Sequence, residues 1–175
     1  MPLASQSKHR QDTDVTSFPR LIAICSCLLG PVGGIVIAKD AVSVNLTPFG
    51  TASASSEEAQ RGNRVAHAVD GKPATRWCST GPIPGSWFSL DLTAPCTLSQ
   101  VVVHWEQNVS YQYKLEGSLD GTTWFPLTDA ASVEAKGMGK HAIRKRTRHV
   151  RIAHLNPSIT AWSSIRELQV WGVPE

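Results

Sequence analysis

The side chains that could act in catalysis stand singly along this sequence of 175 residues. No serine–histidine–aspartate or cysteine–histidine arrangement stands out, and the acidic residues occur one at a time in predicted turns. Cleavage of a glycosidic bond needs two carboxylates about 5 to 9 Å apart across a cleft, and no such pair is indicated. His104 and His154 lie at predicted strand ends, where a lone histidine is more often a hydrogen-bonded structural group than a ligand. The sequence therefore favours a protein that is not an enzyme.

Tryptophan is unusually frequent, with six residues against two tyrosines and four phenylalanines. Indole rings are costly to leave in water, so several of them should lie in a core or on a binding face. Trp162 differs from the others because it lies in the stretch LNPSITAWSS, just before the last predicted strand. The other five fall in strand patterns and are predicted to be core residues: Trp77, Trp87, Trp105, Trp124 and Trp171.

A dense basic run contains Arg144, Lys145, Arg146, Arg148 and Arg151. Such a run could attract sulfated or uronic-acid glycans or anionic lipid head groups. Strand alternation would instead distribute these charges over two faces, as on an ordinary solvated surface. The formal net charge of the whole chain is only +3, which is too small to indicate a nucleic-acid-binding protein.

Short β-strands are the elements that must position these side chains. Beyond residue 42 there is no helical periodicity, and short alternating or apolar runs are separated by turn residues. In the run 87–92, Trp87, Ser89 and Asp91 alternate with apolar residues, as in a strand with one buried face. Residues 119–122 form a typical hairpin turn between the predicted strands 111–117 and 124–127. This spacing is typical of an all-β sandwich formed by one domain over residues 42–175. The other predicted strands are 42–46, 98–105, 111–117, 124–127, 149–155 and 165–171.

Residues 1–38 have the pattern of a targeting or anchoring segment. A polar stretch with three basic residues precedes the uncharged apolar run 21–38. This pattern indicates a secretory signal cleaved after Ala38, although the run also reaches the lower limit for a membrane anchor. Pro31 and two neighbouring glycines weaken a helix and favour the cleaved signal. We therefore expect a secreted or extracellular surface protein, attached to a membrane only if this segment stays uncleaved.

Export would also affect the state of Cys78 and Cys96. In an oxidising compartment the two thiols could form a disulfide that closes a loop of about eighteen residues. They could equally be two separately buried cysteines that behave as small apolar side chains. Neither cysteine has a second ligand at the short spacing that zinc sites use, so a zinc site is not expected.

Several motifs occur in an order that resembles a known family. They are AVDG at 68–71 with TRW at 75–77, WFSLDL at 87–92, VHW at 103–105, SLDG at 118–121 with Trp124, HVRI at 149–152, and REL at 166–168 with Trp171. Together they resemble the coagulation factor 5/8 type C, or discoidin-like, domain over about residues 46–172. The resemblance implies an eight-stranded jelly-roll β-sandwich of the galactose-binding-like superfamily, whose members bind ligands rather than catalyse reactions. TRWC and HWE look most like carbohydrate-binding modules appended to bacterial extracellular glycoside hydrolases.

Two departures from the family pattern bear on the ligand. Factor-type domains usually join their termini by a disulfide, whereas this sequence has no cysteine near Leu46 or Trp171. The lipid-binding members carry apolar membrane-inserting spikes, whereas residues 51–63 are small and polar. Both departures favour a glycan over a lipid.

A glycan site is expected in the loops at one end of the sandwich. Sugars are bound by an aromatic ring against the apolar side of a pyranose, with charged and amide groups hydrogen-bonded to the hydroxyls. Trp162 is the aromatic residue in the most suitable place, with a packing role as its alternative. The polar and aromatic partners expected around it are Arg76, Glu106, Gln107, Asn108 and Tyr111.

The resemblance also implies a structural Ca²⁺ near the DG turn. Calcium takes about six to eight oxygen ligands from carboxylates, hydroxyls and backbone carbonyls. Asp70 and Glu167 would supply carboxylates and Thr75 a hydroxyl. Val69 or Lys72 would add a backbone carbonyl. In the alternative, Asp70 only caps the turn and Glu167 pairs with an arginine.

The resulting hypothesis is a non-catalytic, extracellular carbohydrate-binding module. Its partner would be a glycan, of galactose type or from a plant or algal polysaccharide, and it could associate with a glycoside hydrolase. The alternative is a cell-surface adhesion module that binds a protein or an anionic surface through the basic strand 144–151. No nucleic-acid partner is expected.

Overall fold

The computed structural model describes residues 42–155 and 162–175, and all regular structure within them is β-strand or short 3-10 helix. The all-β, antiparallel class predicted from the sequence is confirmed. Three 3-10 helices span Thr47–Phe49, Ala59–Arg61 and Val65–Ala68. The nine strands of the described residues are β1 (Val44–Asn45), β2 (Thr51–Ala54), β3 (Trp77–Cys78), β4 (Trp87–Trp105), β5 (Ser110–Ser118), β6 (Phe125–Pro126), β7 (Val133–Lys136), β8 (Met138–His154) and β9 (Ser164–Pro174).

Some of the sequence predictions concern residues outside these ranges. The signal or anchor predicted at 1–38 lies outside the described residues, as does most of the stretch that precedes Trp162. Within 42–155 and 162–175, no helix has the length and apolar character needed to cross a membrane.

Two long strands, β4 and β8, contribute to both layers of the sandwich. The first part of β4, Trp87 to Asp91, lies between β2 and the last part of β8. From Cys96 onward, β4 lies between β9 and the first part of β8. The change of partners coincides with an irregularity in the β4–β8 register between Asp91 and Cys96, where Thr93 has a φ of 70°. Strands pass between the layers of a sandwich at such irregularities, so β4 and β8 form the corners of the jelly roll.

The core follows the alternation predicted for the strands. On β4, Phe88 and Leu90 are fully buried, whereas Trp87 and Asp91 are partly exposed on the outer face. On the adjacent part of β8, Ile152 is buried beside them. Each large apolar side chain removed from water contributes about 1.5 to 3 kcal/mol, and this periodic burial fixes which face of each strand points inward.

The tryptophans divide differently from the prediction. Trp77 and Trp105 are buried, as expected. The core prediction is wrong for Trp87, Trp124 and Trp171, which are only half-buried. Alternation places Trp87 on the outer face of β4, and Trp124 lies in the loop before β6. The apolar character of indole favoured a prediction of burial. The outward direction of Trp87 and the loop position of Trp124 place these two rings at the surface instead.

The predicted hairpin between β5 and β6 is confirmed. Glu116 pairs with Pro126, and Gly121 has a positive φ of 76° in the turn between them. Oδ1 of Asp120 accepts hydrogen bonds from the backbone N–H groups of Thr122 and Thr123 at 2.8 and 2.7 Å. These bonds stabilise the carboxylate and lower the pKa of Asp120. The turn is thus stabilised by its own side chain, as an Asx turn is.

Candidate functional site

The start of β9 brings two loops together at one end of the sandwich. Ile165 pairs with Trp77 of β3 on one side and with Trp105 of β4 on the other. Arg76 immediately precedes β3, and Glu106 immediately follows β4. The two side chains therefore converge at the start of β9 although they are far apart in sequence.

A polar cleft of about 210 Å³ opens between these loops. Arg76 and Glu106 form an ion pair with 3.2 Å between Nε and Oε1, and their side chains are 32% and 20% exposed. Trp162 lines the same cleft and is half-buried. Four of the six predicted glycan ligands thus lie together: Arg76, Glu106, Gln107 and Trp162. The lining residues are Glu58, Arg61, Arg76, Cys78, Glu106, Gln107 and Trp162.

Sequence reasoning missed two charged residues of this cleft, Glu58 and Arg61. The backbone N–H of Glu58 donates to the carbonyl oxygen of Cys78 at 2.9 Å, which holds the loop that follows β2 against β3. The Glu58 carboxylate lies 3.3 Å from Nε of Arg61 and accepts a 2.7 Å hydrogen bond from the Asn63 amide. Residues 51–63 show no local pattern beyond small polar side chains, so only the contact with β3 identifies these two residues.

The structure does not place Tyr111 or Asn108 in the cleft. Tyr111 is 1% exposed, and its ring stacks on Trp105 with 4.1 Å between centroids. Burial raises the pKa of its hydroxyl to about 12. The prediction that Tyr111 contacts a sugar is therefore wrong, because the first inward-facing position of β5 is a core position. Asn108 is exposed, but its side chain lies beside Gly137 in the turn between β7 and β8.

His154 supports the loop end of the sandwich from within the core. It is 2% exposed, and its Nδ1 lies 2.5 Å from Oγ of Ser163, which also bonds to Ser86. The imidazole packs against the rings of Trp105 and Tyr111 at centroid distances of 5.7 and 5.4 Å. Burial lowers its pKa to about 4. This buried, neutral ring is a structural group, as the sequence predicted.

The disulfide considered for Cys78 and Cys96 does not form. Both cysteines are buried and free. Cys78 pairs with Ser164 at the start of β9, and Cys96 pairs with Pro174 at its end. Ten residues of extended strand span about 30 Å, whereas the Cα atoms of a disulfide lie within about 7 Å. The alternative of two separately buried thiols is the correct one, and burial raises the pKa of each.

The residues expected to bind calcium lie together where a turn meets β9. Both carboxylate oxygens of Asp70 accept hydrogen bonds from the Thr75 hydroxyl at 3.0 Å, and Oδ1 also accepts one from the N–H of Lys72 at 2.9 Å. Oε2 of Glu167 accepts a 3.2 Å hydrogen bond from the N–H of Gly71. Burial, together with the charge of Asp70, raises the pKa of Glu167 to about 7.

The turn offers two carboxylates and one hydroxyl, which are oxygen donors of the kind that a hard divalent cation takes. Within the described residues Glu167 makes no ion pair with an arginine, so the charge repulsion between the two carboxylates is not offset by a basic side chain. The same part of the chain has no cluster of three or more His, Cys, Asp or Glu residues suited to a metal. Hydroxyl and carbonyl oxygens would have to complete the ligand set, and calcium accepts both.

Carboxylates pair with more than half of the basic residues of strand 144–151. Three of them are held by carboxylates at 2.7 to 2.8 Å: Arg146 by Glu175, Arg148 by Asp91 and Arg151 by Glu116. Lys145 donates a hydrogen bond to the carbonyl of Pro126. These pairs remove much of the positive field that binding to an anionic surface would require, so the adhesion hypothesis is not favoured.

Residues 51–168 match the family model described as F5/8 type C domain. The match begins with β2 and ends within β9, so it includes the cleft residues Arg76, Glu106 and Trp162 as well as the turn at Asp70. The chain belongs to the F5/8 type C domain family. The resemblance inferred from the motifs is thereby confirmed. No curated protein sequence matches the chain.

Solved structures share the fold of this F5/8 type C domain. The chitosan-binding module 1 of a chitosanase/glucanase from Paenibacillus sp. IK-5 is 26% identical with a TM-score of 0.64, over 73% of this chain and 98% of that chain. A family 89 glycoside hydrolase from Clostridium perfringens is 25% identical with a TM-score of 0.62, over 75% of this chain but only 15% of that one. The CBM32 of AlyQ, solved with 4,5-unsaturated mannuronic acid, is 21% identical with a TM-score of 0.58 over 69% of this chain and 92% of that chain, and it shows the fold alone.

Proposed function

We propose that this F5/8 type C domain is a non-catalytic, extracellular carbohydrate-binding module whose glycan site is the cleft of Arg76, Glu106 and Trp162. The observation that carries the proposal is the convergence of a half-buried indole and a shielded ion pair in one polar cleft. The 26% identity with a chitosan-binding module, which the chain matches over 98% of that module's length, supports the same class of ligand.

In this cleft Trp162 supplies the apolar contact. One side of a pyranose ring carries mainly C–H groups, and these pack on the face of an indole. The Arg76 guanidinium offers donors and the Glu106 carboxylate offers acceptors to neighbouring sugar hydroxyls. Because the two groups already hold each other in place, little side-chain freedom is lost when the sugar binds.

The contacts of the acidic groups support binding without turnover. Each carboxylate of the cleft contacts an arginine, Glu106 with Arg76 and Glu58 with Arg61. Glycoside hydrolysis needs one carboxyl group as a proton donor and a second as nucleophile or base. The arginine that contacts each carboxylate favours its ionised form over the protonated form that a proton donor needs.

Export and a partner enzyme are part of the same proposal. The basic and apolar pattern of residues 1–38 supports secretion, or attachment to the outer surface if the segment is retained. The region of the Clostridium perfringens glycoside hydrolase that this chain matches is 15% of that enzyme's length. We infer that the module brings a glycoside hydrolase to a galactose-type, plant or algal polysaccharide.

Calcium is the proposed structural cofactor, held by Asp70, Thr75, Glu167 and the carbonyl of Lys72 or Val69. A bound ion would offset the repulsion between the two carboxylates and fasten the turn to β9. The full chain should therefore melt at a higher temperature in millimolar CaCl₂ than in EDTA, and Glu167→Gln should remove this difference. An equal response to CaCl₂ in wild type and variant would exclude this ligand set.

Glycan-array binding of the full chain tests the site. Trp162→Ala is compared with Phe49→Ala, which removes a 71% exposed aromatic ring that does not line the cleft. We expect neutral glycans to bind in about 1 M salt, where the Debye length is about 3 Å, and Trp162→Ala alone to lose at least about tenfold in affinity, or roughly 1.4 kcal/mol.

Three outcomes would contradict the proposal. Binding of neutral glycans that is unaffected by Trp162→Ala would place the site elsewhere. Binding only to sulfated or acidic glycans, abolished by salt, would favour the basic strand instead. Release of reducing sugar from a polysaccharide panel, lost when Glu106 is replaced, would show an enzyme.

A further inference from the structure

A second concave surface lies on the outer face of β2, β4 and β8. The sheet-face groove has a volume of about 460 Å³ and shares no lining residue with the cleft at the loop end. Polar and aromatic side chains line it together, and those that matter here are Ser53, Trp87, Asp91, Trp124, His149 and Arg151.

Strand register builds the floor of the sheet-face groove. Ser53 of β2 pairs with Ser89 of β4, Ser89 pairs with Arg151 of β8, and Arg151 pairs with Glu116 of β5. These four residues therefore form one row across the sheet, on the face opposite the core. Ser89 is only 7% exposed although it faces outward. The larger side chains around it thus form walls above a polar floor.

Trp124 forms one of these walls. The guanidinium carbon of Arg151 lies 3.9 Å from the centroid of the Trp124 ring, within the range of a cation–π contact. Oε2 of Glu116 lies 2.8 Å from both Nε and Nη2 of Arg151, which fixes the plane of the guanidinium. Trp87 adds a second half-buried indole from the start of β4. The aromatic surface is therefore held in place before any ligand arrives.

The charges of the sheet-face groove are paired within the protein. Arg151 is held by Glu116, and Arg148 at its border makes two bonds to Asp91, at 2.8 and 2.9 Å. A phosphate or sulfate would have to displace a carboxylate from either arginine. An extended peptide cannot add to β4 or β8 here, since each already has a strand on both sides. The groups left to contact a ligand are indole faces, hydroxyls and charged groups that are already paired. Such a surface suits a neutral polyhydroxylated ligand.

We propose that the sheet-face groove is a second glycan-binding site, which takes pyranose rings of a neutral oligosaccharide against Trp87 and Trp124. The class of ligand rests on the proposed function, whereas the residues are separate from those of the loop-end cleft. A chain with both sites can engage two segments of one polysaccharide, so binding to the polymer exceeds binding at either site.

Indole N–H resonances in NMR spectra of the full chain labelled with ¹⁵N-tryptophan test this proposal. The probes are N-acetylchitohexaose, cellohexaose and β-1,4-galactotetraose. Ser53→Tyr blocks the groove from an exposed position of β2, and Thr97→Tyr is the matched control at an exposed position of β4 outside the groove. Trp124→Ala is the second groove variant, and Ser53→Tyr keeps the test valid if Trp124→Ala fails to fold.

We expect at least one probe to shift the Trp87 and Trp124 resonances, with an affinity at these two resonances that is about tenfold weaker in Ser53→Tyr and unchanged in Thr97→Tyr. Absence of such shifts with all three probes, or an affinity that is unchanged in Ser53→Tyr, would overturn the second site. Shifts of Trp162 alone would overturn it while leaving the loop-end cleft intact. Shifts of Trp87 and Trp124 without Trp162 would support it and contradict the loop-end site.

Discussion

Acid should weaken this domain through His154, the buried imidazole at the loop end of the core. Protonation would place a positive charge between Trp105 and Tyr111, where only Ser163 offers a hydrogen-bond partner among the described residues. Burial lowers the folded-state pKa from 6.5 to about 4. Because the folded pKa lies below the unfolded one, the stability due to the neutral ring is fully present above pH 6.5 and is lost as the pH falls towards 4.

The size of this effect follows from the two pKa values. At about 1.36 kcal/mol for each pKa unit, the gap between 6.5 and about 4 corresponds to about 3 kcal/mol of unfolding free energy. Domains of this kind are stable by roughly 5 to 15 kcal/mol, so the loss is large. Glu167 changes the unfolding free energy in the opposite direction as the pH falls, because its folded pKa of about 7 lies above the ordinary 4.5. Its protonation in acid therefore stabilises the fold, and the experiment is best done with Glu167→Gln as the reference protein.

Urea unfolding followed by tryptophan fluorescence at about pH 7 and pH 4.5 measures the effect. In the reference protein, His154→Asn keeps an amide near the position of Nδ1 and removes the titrating ring. The variant should be less stable at neutral pH because packing is lost. Its disadvantage should shrink by about 2 to 3 kcal/mol at the lower pH, since only the reference protein then has a buried histidine to protonate. An identical pH dependence in the two proteins would refute the reasoning.

Three further predictions follow from single contacts. Arg76→Gln should weaken glycan binding as much as Glu106→Gln, and the double variant should cost little more, because each residue acts through the other; additive losses in calorimetric titrations would show independent roles. A reducing agent should leave the melting temperature unchanged, and thiol titration of the denatured, unreduced chain should find both Cys78 and Cys96 free; a reductant-sensitive melt would contradict the placement of these cysteines at opposite ends of β9. Gly172→Ala should destabilise the fold by about 1 to 3 kcal/mol, because the added Cβ would lie 2.6 Å from the Thr97 carbonyl oxygen. An unchanged midpoint of urea unfolding would show instead that β4 and β9 can move apart.

Local sequence patterns were sufficient to predict the structure wherever residues that are close in sequence decide it. The alternation of Phe88 and Leu90 with polar residues correctly indicated the two faces of β4, and the Asp120–Gly121 turn correctly indicated a hairpin. Tyr111 shows where such patterns fail. A residue at the start of a strand can face the core or the end of the sandwich, and the packing of its ring on Trp105 decides between them.

The fold class, the family and part of the loop-end cleft, namely Arg76, Glu106, Gln107 and Trp162, were therefore predictable from the sequence alone, because they depend on periodicity and on short motifs. The cleft as a whole, the state of the cysteines and the sheet-face groove were not, because each depends on register between strands that are distant in sequence. Ile165 pairs with both Trp77 and Trp105, and this pairing brings Arg76 close to Glu106. The same strand, β9, holds Cys78 and Cys96 at its two ends, since backbone hydrogen bonds and core packing select a single register out of many that the local sequence would allow.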